Sequence, residues 1–310
     1  MPTTIDTIIL LPYNFRRADF LSFHQRDDQK IAEMVDEHKL QKGIVWEDMP
    51  ACITLTFVKK QVNVALHLDS APKNLDTQTT QTRLKQHAHH MLGLNQPISD
   101  FENFAINHPQ LNRLINQQSG LRVPQAATTF EALTWAIIGQ QISLHAAISV
   151  RRKFIQHTGS QHSSGIWCYP VPKQIAAFAV DDLRPLGLSE AKARTIIELS
   201  NMILNGNLPL ELWLNDYWQG NALPAEDIYD ALIKVRGIGP WTVNYALLRG
   251  FGWLDGSLHG DVAVRRNLQQ LLRSDEKVDE KTTQTWLKTF SPWRALVAAH
   301  LWAMQEQAGF

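Results

Sequence analysis

Gly237, Ile238, Gly239 and Pro240 interrupt a stretch, KVRGIGPWTVNYALLRG at 234–250, whose spacing is otherwise helical. Glycine costs about 1 kcal/mol and proline about 3 kcal/mol inside a helix, so one continuous helix cannot run through these positions. Ile228, Leu232 and Val235 keep a helical repeat before the interruption. Residues 240–249 resume it with Pro240 in the first turn, where the missing N–H does no harm. The pattern predicts two short helices joined by a tight Gly-Ile-Gly turn. Glycine at both ends of the turn permits positive φ and leaves no Cβ in the way of an approaching group. The N-terminus of the second helix offers unpaired N–H groups and a partial positive charge, which together can take a phosphate through main-chain donors alone.

That mode of binding ignores base sequence and needs little net charge. The point matters because 30 lysines and arginines are balanced by 30 aspartates and glutamates, which argues against a protein held to nucleic acid by a broad basic surface. A neutral total still leaves room for local basic patches, such as Arg151, Arg152 and Lys153, or Arg265 and Arg266. Two cysteines, Cys52 and Cys168, are too few for a disulfide framework, a zinc ribbon or an iron-sulfur cluster. Twelve histidines include no HExxH, and His87, His89 and His90 fall on a polar helix where a solvated face is the plain reading, so no metal site is expected. No apolar run approaches the ~20 residues of a membrane span, and MPTTIDTIILLPYNF lacks the flanks of a signal peptide. A cytoplasmic protein without membrane contact is the expectation.

Along the chain, 44% hydrophobic residues support folded domains. TIIL, ACITLTFV and VNVALHL carry β-formers or period-two alternation, and helical spacing appears between and after them, so residues 1–98 read as a small α+β domain. From residue 99 to 310 the pattern is helical. Thr128 and Glu131 form a T-x-x-E capping box before an apolar face containing Trp135 and Ile138. Ser143 and Gly159 bound another helix, as do Ser189 and Gly206. Residues 160–173 read as a polar, proline-containing connection.

LIKVRGIGPWTVNYAL followed by GDVAVRRNL resembles the helix-hairpin-helix motif and downstream aspartate of the DNA glycosylase superfamily. LPYNF, WAIIGQQIS, LGLSEAKARTIIELSN, the hairpin, GDVAVRR and SPWRALVAAHLWAM stand in the order of one branch, the 3-methyladenine DNA glycosylase II type. One hairpin is shared with non-catalytic DNA-binding modules; six ordered segments across nearly the whole chain are far more specific. The resemblance implies an N-terminal domain like half a TATA-binding protein, then an all-helical region in two lobes. Residues 129–253 would form the hairpin lobe, and 99–128 with 254–310 the other, with the active site between them.

The resemblance makes Asp261 the catalytic aspartate. Its bland reading is a helix N-cap, and the two roles are compatible because a helix N-terminus keeps a carboxylate ionised. Asp255 is the nearby competitor, in a connecting loop. Trp241 stands where strand-cutting relatives carry a nucleophilic lysine, so a Schiff-base step lacks its amine and a monofunctional enzyme is implied. Trp241 and Tyr245 share a helix face, which alone would mean core; with Trp302 they match family aromatics around the flipped base. Aromatic faces attract a desolvated cation by ~2 kcal/mol, which suits a purine made cationic by alkylation. Gly237, Ile238, Gly239 and Thr242 would meet the DNA backbone. Gln141, in the turn of IIGQQIS, would insert into the duplex, where the best-known relative has leucine; its bland reading is a plain turn residue. The implied partner is double-stranded DNA with alkylated bases, bound by a monomer that needs no cofactor beyond a structural alkali cation on the hairpin carbonyls. A non-catalytic hairpin scaffold and a glycosylase for oxidised purines with lyase activity remain as alternatives. The N-terminal match leaves open whether Phe20 or Leu21 faces the site.

Overall fold

The computed structural model describes residues 2–72 and 75–304; residue 1, residues 73–74 and residues 305–310 of the two expected segments lie outside the described residues. The β-forming stretches pair into an antiparallel sheet. Its strands are β1 (Thr3–Leu10), β2 (Glu33–Val35), β3 (Lys39–Trp46), β4 (Met49–Val58) and β5 (Gln61–Leu68), with β2 on β3 and the rest in the order β1-β5-β4-β3. Alternation in β5 turns Val62, Val64, Leu66 and Leu68 to one face, where they are buried against helices α1 (Arg17–His24) and α2 (Thr77–Met91). A period of two therefore fixes which face carries this core.

The connection at 160–173 departs from its polar reading. Ser160–Gln161 and Trp167–Cys168 form two short strands, β6 and β7, and β7 joins β3 in parallel through Gly43 and Cys168. Gly43 makes this possible, because a Cβ there would lie 2.1 Å from the Trp167 carbonyl oxygen. A two-residue strand has no periodicity to detect, so the sequence pattern gave no sign of it.

The remaining described chain is helical: α3 (Ile98–Ala105), α4 (Asn112–Gln117), α5 (Thr129–Gly139), α6 (Leu144–Thr158), α7 (Pro172–Ile175), α8 (Val180–Leu183), α9 (Glu190–Leu204), α10 (Leu210–Trp218), α11 (Ala225–Leu232), α12 (Pro240–Ala246), α13 (Val262–Leu272), α14 (Glu280–Lys288) and α15 (Arg294–Trp302). These helices share a second core, with α5 buried on all sides at its centre. Ser143 and Ser189 cap α6 and α9 through the backbone N–H of Ala146 and Lys192.

Three expectations are corrected. Thr128 caps α5 by accepting from Glu131 N, but Glu131 does not close the box: one carboxylate oxygen accepts from Ala127 N and the other from Lys42 and Arg151. Arg151 is therefore no part of a basic patch. It and Lys42 bind Glu33 and Glu131 in a buried quartet between sheet and helices, and Arg152 pairs with Asp27 and Asp28. The histidines of α2 do not form a solvated face either. His90 is buried against Trp218, and His87 lies between Trp46 and Trp218. Burial holds their imidazoles neutral, pulling His87 down to about 4 and His90 to about 3.

Candidate active site

The interrupted stretch folds as two helices and a turn. α11 ends at Leu232, and Val235 and Ile238 anchor the connection in the core. Gly237 has φ +90° and sits over Thr195, whose hydroxyl would lie 2.4 Å from an added Cβ. Gly239, by contrast, is extended at φ −104° and ψ 174°, so its freedom at positive φ is not used; a Cβ there would meet nothing within 4 Å. What Gly239 leaves is open space in front of the first turn of α12. Ile238 and Thr242 point inward, so only their main chain faces outward contact. Gln140 ties this turn to the end of α5, its side-chain amide donating to the Gly237 carbonyl (3.0 Å) and the Thr242 hydroxyl (2.9 Å). Lys192 donates to the carbonyls of Ile138 (2.9 Å) and Gln140 (2.7 Å) from below. Above these supports Gln141 is exposed at φ +58°, beside an exposed Ile142.

Twenty residues after Trp241, Asp261 caps α13: its Oδ1 accepts from Val264 N at 2.9 Å. The same carboxylate meets both indoles. Trp302 Nε1 donates to Oδ1 at 3.1 Å and Trp241 Nε1 to Oδ2 at 3.0 Å. Tyr245 stacks on Trp241 with ring centroids 5.2 Å apart and tilts toward Trp302 at 6.4 Å. Asp261, Trp241, Tyr245 and Trp302 thus converge from α12, α13 and α15, while Gly237, Gly239 and Gln141 lie on the adjoining turns. Among the described residues Oδ1 accepts two hydrogen bonds and Oδ2 one, so Oδ2 has more capacity left for a reacting group. Asp255 is committed elsewhere, accepting from Arg294 Nε (2.8 Å), Arg294 Nη2 (3.0 Å) and Ser291 Oγ (2.8 Å). Of the hairpin carbonyls an alkali cation could use, those of Arg236 and Gly237 already accept from Thr195 and Gln140, so such an ion would draw on other carbonyls of the turn.

Several residues beside this cluster carry no sequence-level assignment. Neither Phe20 nor Leu21 faces it; both are buried in the sheet-side core. Phe23 takes that place, lining a cavity with Tyr245, Arg26 and Arg249. The Arg249 guanidinium lies 4.5 Å from the Phe23 ring centroid and 5.7 Å from that of Trp302. It is carried by Leu247–Phe251, a π-helical turn that extends α12, a widening often found at functional sites. A charged residue inside the apolar run ALLRGF was the available signal, since arginine is seldom buried without a purpose.

A hairpin with open space in front of Gly239, followed by a capping carboxylate held between indoles, defines a DNA-repair class of helical protein. The family model of the HhH-GPD superfamily base excision DNA repair proteins matches residues 134–292, and the chain belongs to that family. A DNA-3-methyladenine glycosylase of Bacillus subtilis is 27% identical over 93% of this chain and 96% of its own length. In fold the chain is similar to a 3-methyladenine DNA glycosylase from Archaeoglobus fulgidus, with a TM-score of 0.77 and 20% identity over 95% of this chain and 96% of that one. It is also similar to a Clostridium acetobutylicum 8-oxoguanine glycosylase/lyase in complex with double-stranded DNA, with a TM-score of 0.70 and 15% identity over 97% and 96%.

Proposed function

We propose that the protein is a monofunctional DNA glycosylase that removes N-alkylated purines, 3-methyladenine among them, from duplex DNA and leaves an abasic site. The observation that carries this reading is the double indole clamp on Asp261. Two N–H donors and the first turn of α13 hold the carboxylate in place beside three aromatic rings. An alkylated purine is cationic and departs as a neutral base, so its bond is already weak and needs little acid catalysis. The remaining demand is to stabilise a positively charged sugar, for which a fixed anion in a water-poor cleft is suited. Asp261 Oδ2 would face that sugar or the attacking water. The hairpin would hold the backbone through main-chain N–H groups, and Gln141 with Ile142 would fill the space left when the nucleotide swings out of the stack.

In this reading the N-terminal sheet is the half-TATA-binding-protein-like domain, and the helices form two lobes with Asp261 and Trp302 on one and the hairpin on the other. The protein acts as a cytoplasmic monomer on DNA. It needs no cofactor for chemistry, and an alkali cation on the hairpin would serve DNA binding only. Trp241 in place of an amine argues for hydrolysis alone. Incubation with methylated duplex DNA should release free methylated purine and leave an alkali-labile but uncut strand. A covalent protein–DNA adduct trapped by borohydride would instead favour the oxidised-purine lyase reading, and absence of any released base would favour a binding scaffold.

A further inference from the structure

The turn that follows α5 takes a form that its own sequence does not favour. Gln140 at φ −55° and ψ 127°, then Gln141 at φ +58°, lead from Gly139 to Ile142 as in a type II turn, whose third position suits glycine or asparagine. Glutamine is strained there. The bond that should close the turn, from Ile142 N to the Gly139 carbonyl, is long at 3.5 Å. Strain of this kind persists only where the surroundings over-determine the backbone.

Two side chains supply those surroundings. Lys192 Nζ donates to the carbonyls of Ile138 (2.9 Å) and Gln140 (2.7 Å), groups that the end of α5 leaves without helical partners. The Gln140 side chain, one residue before the strained position, ties the turn to Gly237 and Thr242 of the hairpin. Lys192 gains nothing from its own helix. It stands in the first turn of α9, where a cation opposes the helix dipole, and burial draws its ammonium below the ordinary range. No carboxylate pairs with it among the described residues. Its charge lies instead at the C-terminal end of α5, where the dipole is negative. One turn along α9, Thr195 donates to the Arg236 carbonyl (2.8 Å) and lies beneath Gly237, so one helix grips both the exposed turn and the hairpin.

We propose that Lys192 is a positioning residue for base extrusion, its ammonium clamping the end of α5 so that Gln141 and Ile142 stand ready at a fixed distance from the hairpin. This rests on the glycosylase reading above. Held in this way, the turn enters the duplex as a preformed wedge while the hairpin keeps the backbone. Without the clamp, Gln141 relaxes to negative φ and insertion must order the turn again; backbone binding at the hairpin is untouched.

Fluorescence anisotropy can compare two duplexes of one sequence, one undamaged and one holding a tetrahydrofuran abasic analogue whose gap the wedge fills. Loss of folded protein lowers both apparent affinities alike and leaves their ratio unchanged. Lys192→Met keeps the stem and removes the donors. It should lower the preference for the abasic duplex by about tenfold, the effect of losing hydrogen bonds from a charged group, and leave affinity for the undamaged duplex within about twofold. Lys192→Arg, which keeps a cationic donor, should retain most of the preference. Asparagine tolerates positive φ, so the loss caused by Lys192→Met should be smaller in a Gln141→Asn background than in the unaltered protein. An unchanged preference in Lys192→Met, a parallel fall in both affinities, or no preference in the unaltered protein would overturn the proposal and leave the glycosylase reading intact. An unaltered protein that releases no methylated base would overturn both.

Discussion

Lys42 is the residue whose removal should most weaken the union of sheet and helices. It is 1% exposed on β3, and its ammonium bonds Glu33 at 2.5 Å and Glu131 at 2.8 Å, while Arg151 closes the quartet on the same two carboxylates. Two cations and two anions leave the cluster neutral. Lys42→Met keeps the stem's volume but leaves two buried carboxylates facing one guanidinium, and breaking a buried pair in this way costs about 3–5 kcal/mol. At about 2 °C per kcal/mol, as suits a chain of this length, the melting temperature should fall by about 6–10 °C. The double variant Lys42→Met with Glu131→Gln restores neutrality and should recover more than half of that loss. Differential scanning calorimetry at pH 7.5 would measure both. A single variant that melts within 2 °C of the unaltered protein, or a double variant as unstable as the sum of its parts, would refute this account of the quartet.

Acid should destabilise the protein through its buried histidines. His90 and His300 are each pulled to about 3 by burial, whereas an unfolded imidazole titrates near 6.5, so the unfolded chain binds more protons between those values. Their contribution is complete above about pH 6.5 and is lost as pH falls from there toward 3, by about 2 kcal/mol per histidine at pH 5. Melts from pH 7 to pH 5 should show it, and His300→Gln should flatten the trend. Gln140→Ala removes two hydrogen bonds that join α5 to the hairpin, at about 1 kcal/mol each. It should weaken duplex affinity without altering the slope of log affinity against log salt, since it removes no phosphate-neutralising charge; a changed slope in a fluorescence-anisotropy titration would count against a purely positioning role.

What the sequence made legible was local. Ser143, Ser189 and Asp261 announce helix starts because an N-cap depends on residues three apart, and the turn before α12 follows from the positive φ that Gly237 adopts and the first-turn position of Pro240. The convergence of Trp241, Tyr245, Trp302 and Asp261 was expected only through the family resemblance, because no periodicity links residue 241 to residue 302. The misreadings have one physical source, contacts between distant segments. Glu131 fits a capping box until Lys42, 89 residues earlier, takes its carboxylate. Arg151 looks like a surface cation until Glu33 is placed beside it. His87 and His90 lie on a polar helix whose outward face is covered by Trp218 from α10. Arg26 likewise gives no local sign, since it meets Trp135 and Tyr245 only after the sheet has docked on the helices.

The central claim is that the Asp261 carboxylate, held by Trp241 and Trp302, lowers the barrier to base loss. Single-turnover release of 3-methyladenine from methylated duplex DNA by Asp261→Asn, compared with the unaltered protein, tests it most directly. Asparagine can still cap α13, so the account predicts near-normal DNA affinity and a release rate reduced by at least a hundredfold, about 2.7 kcal/mol of transition-state stabilisation. Release within threefold of the unaltered rate would contradict it.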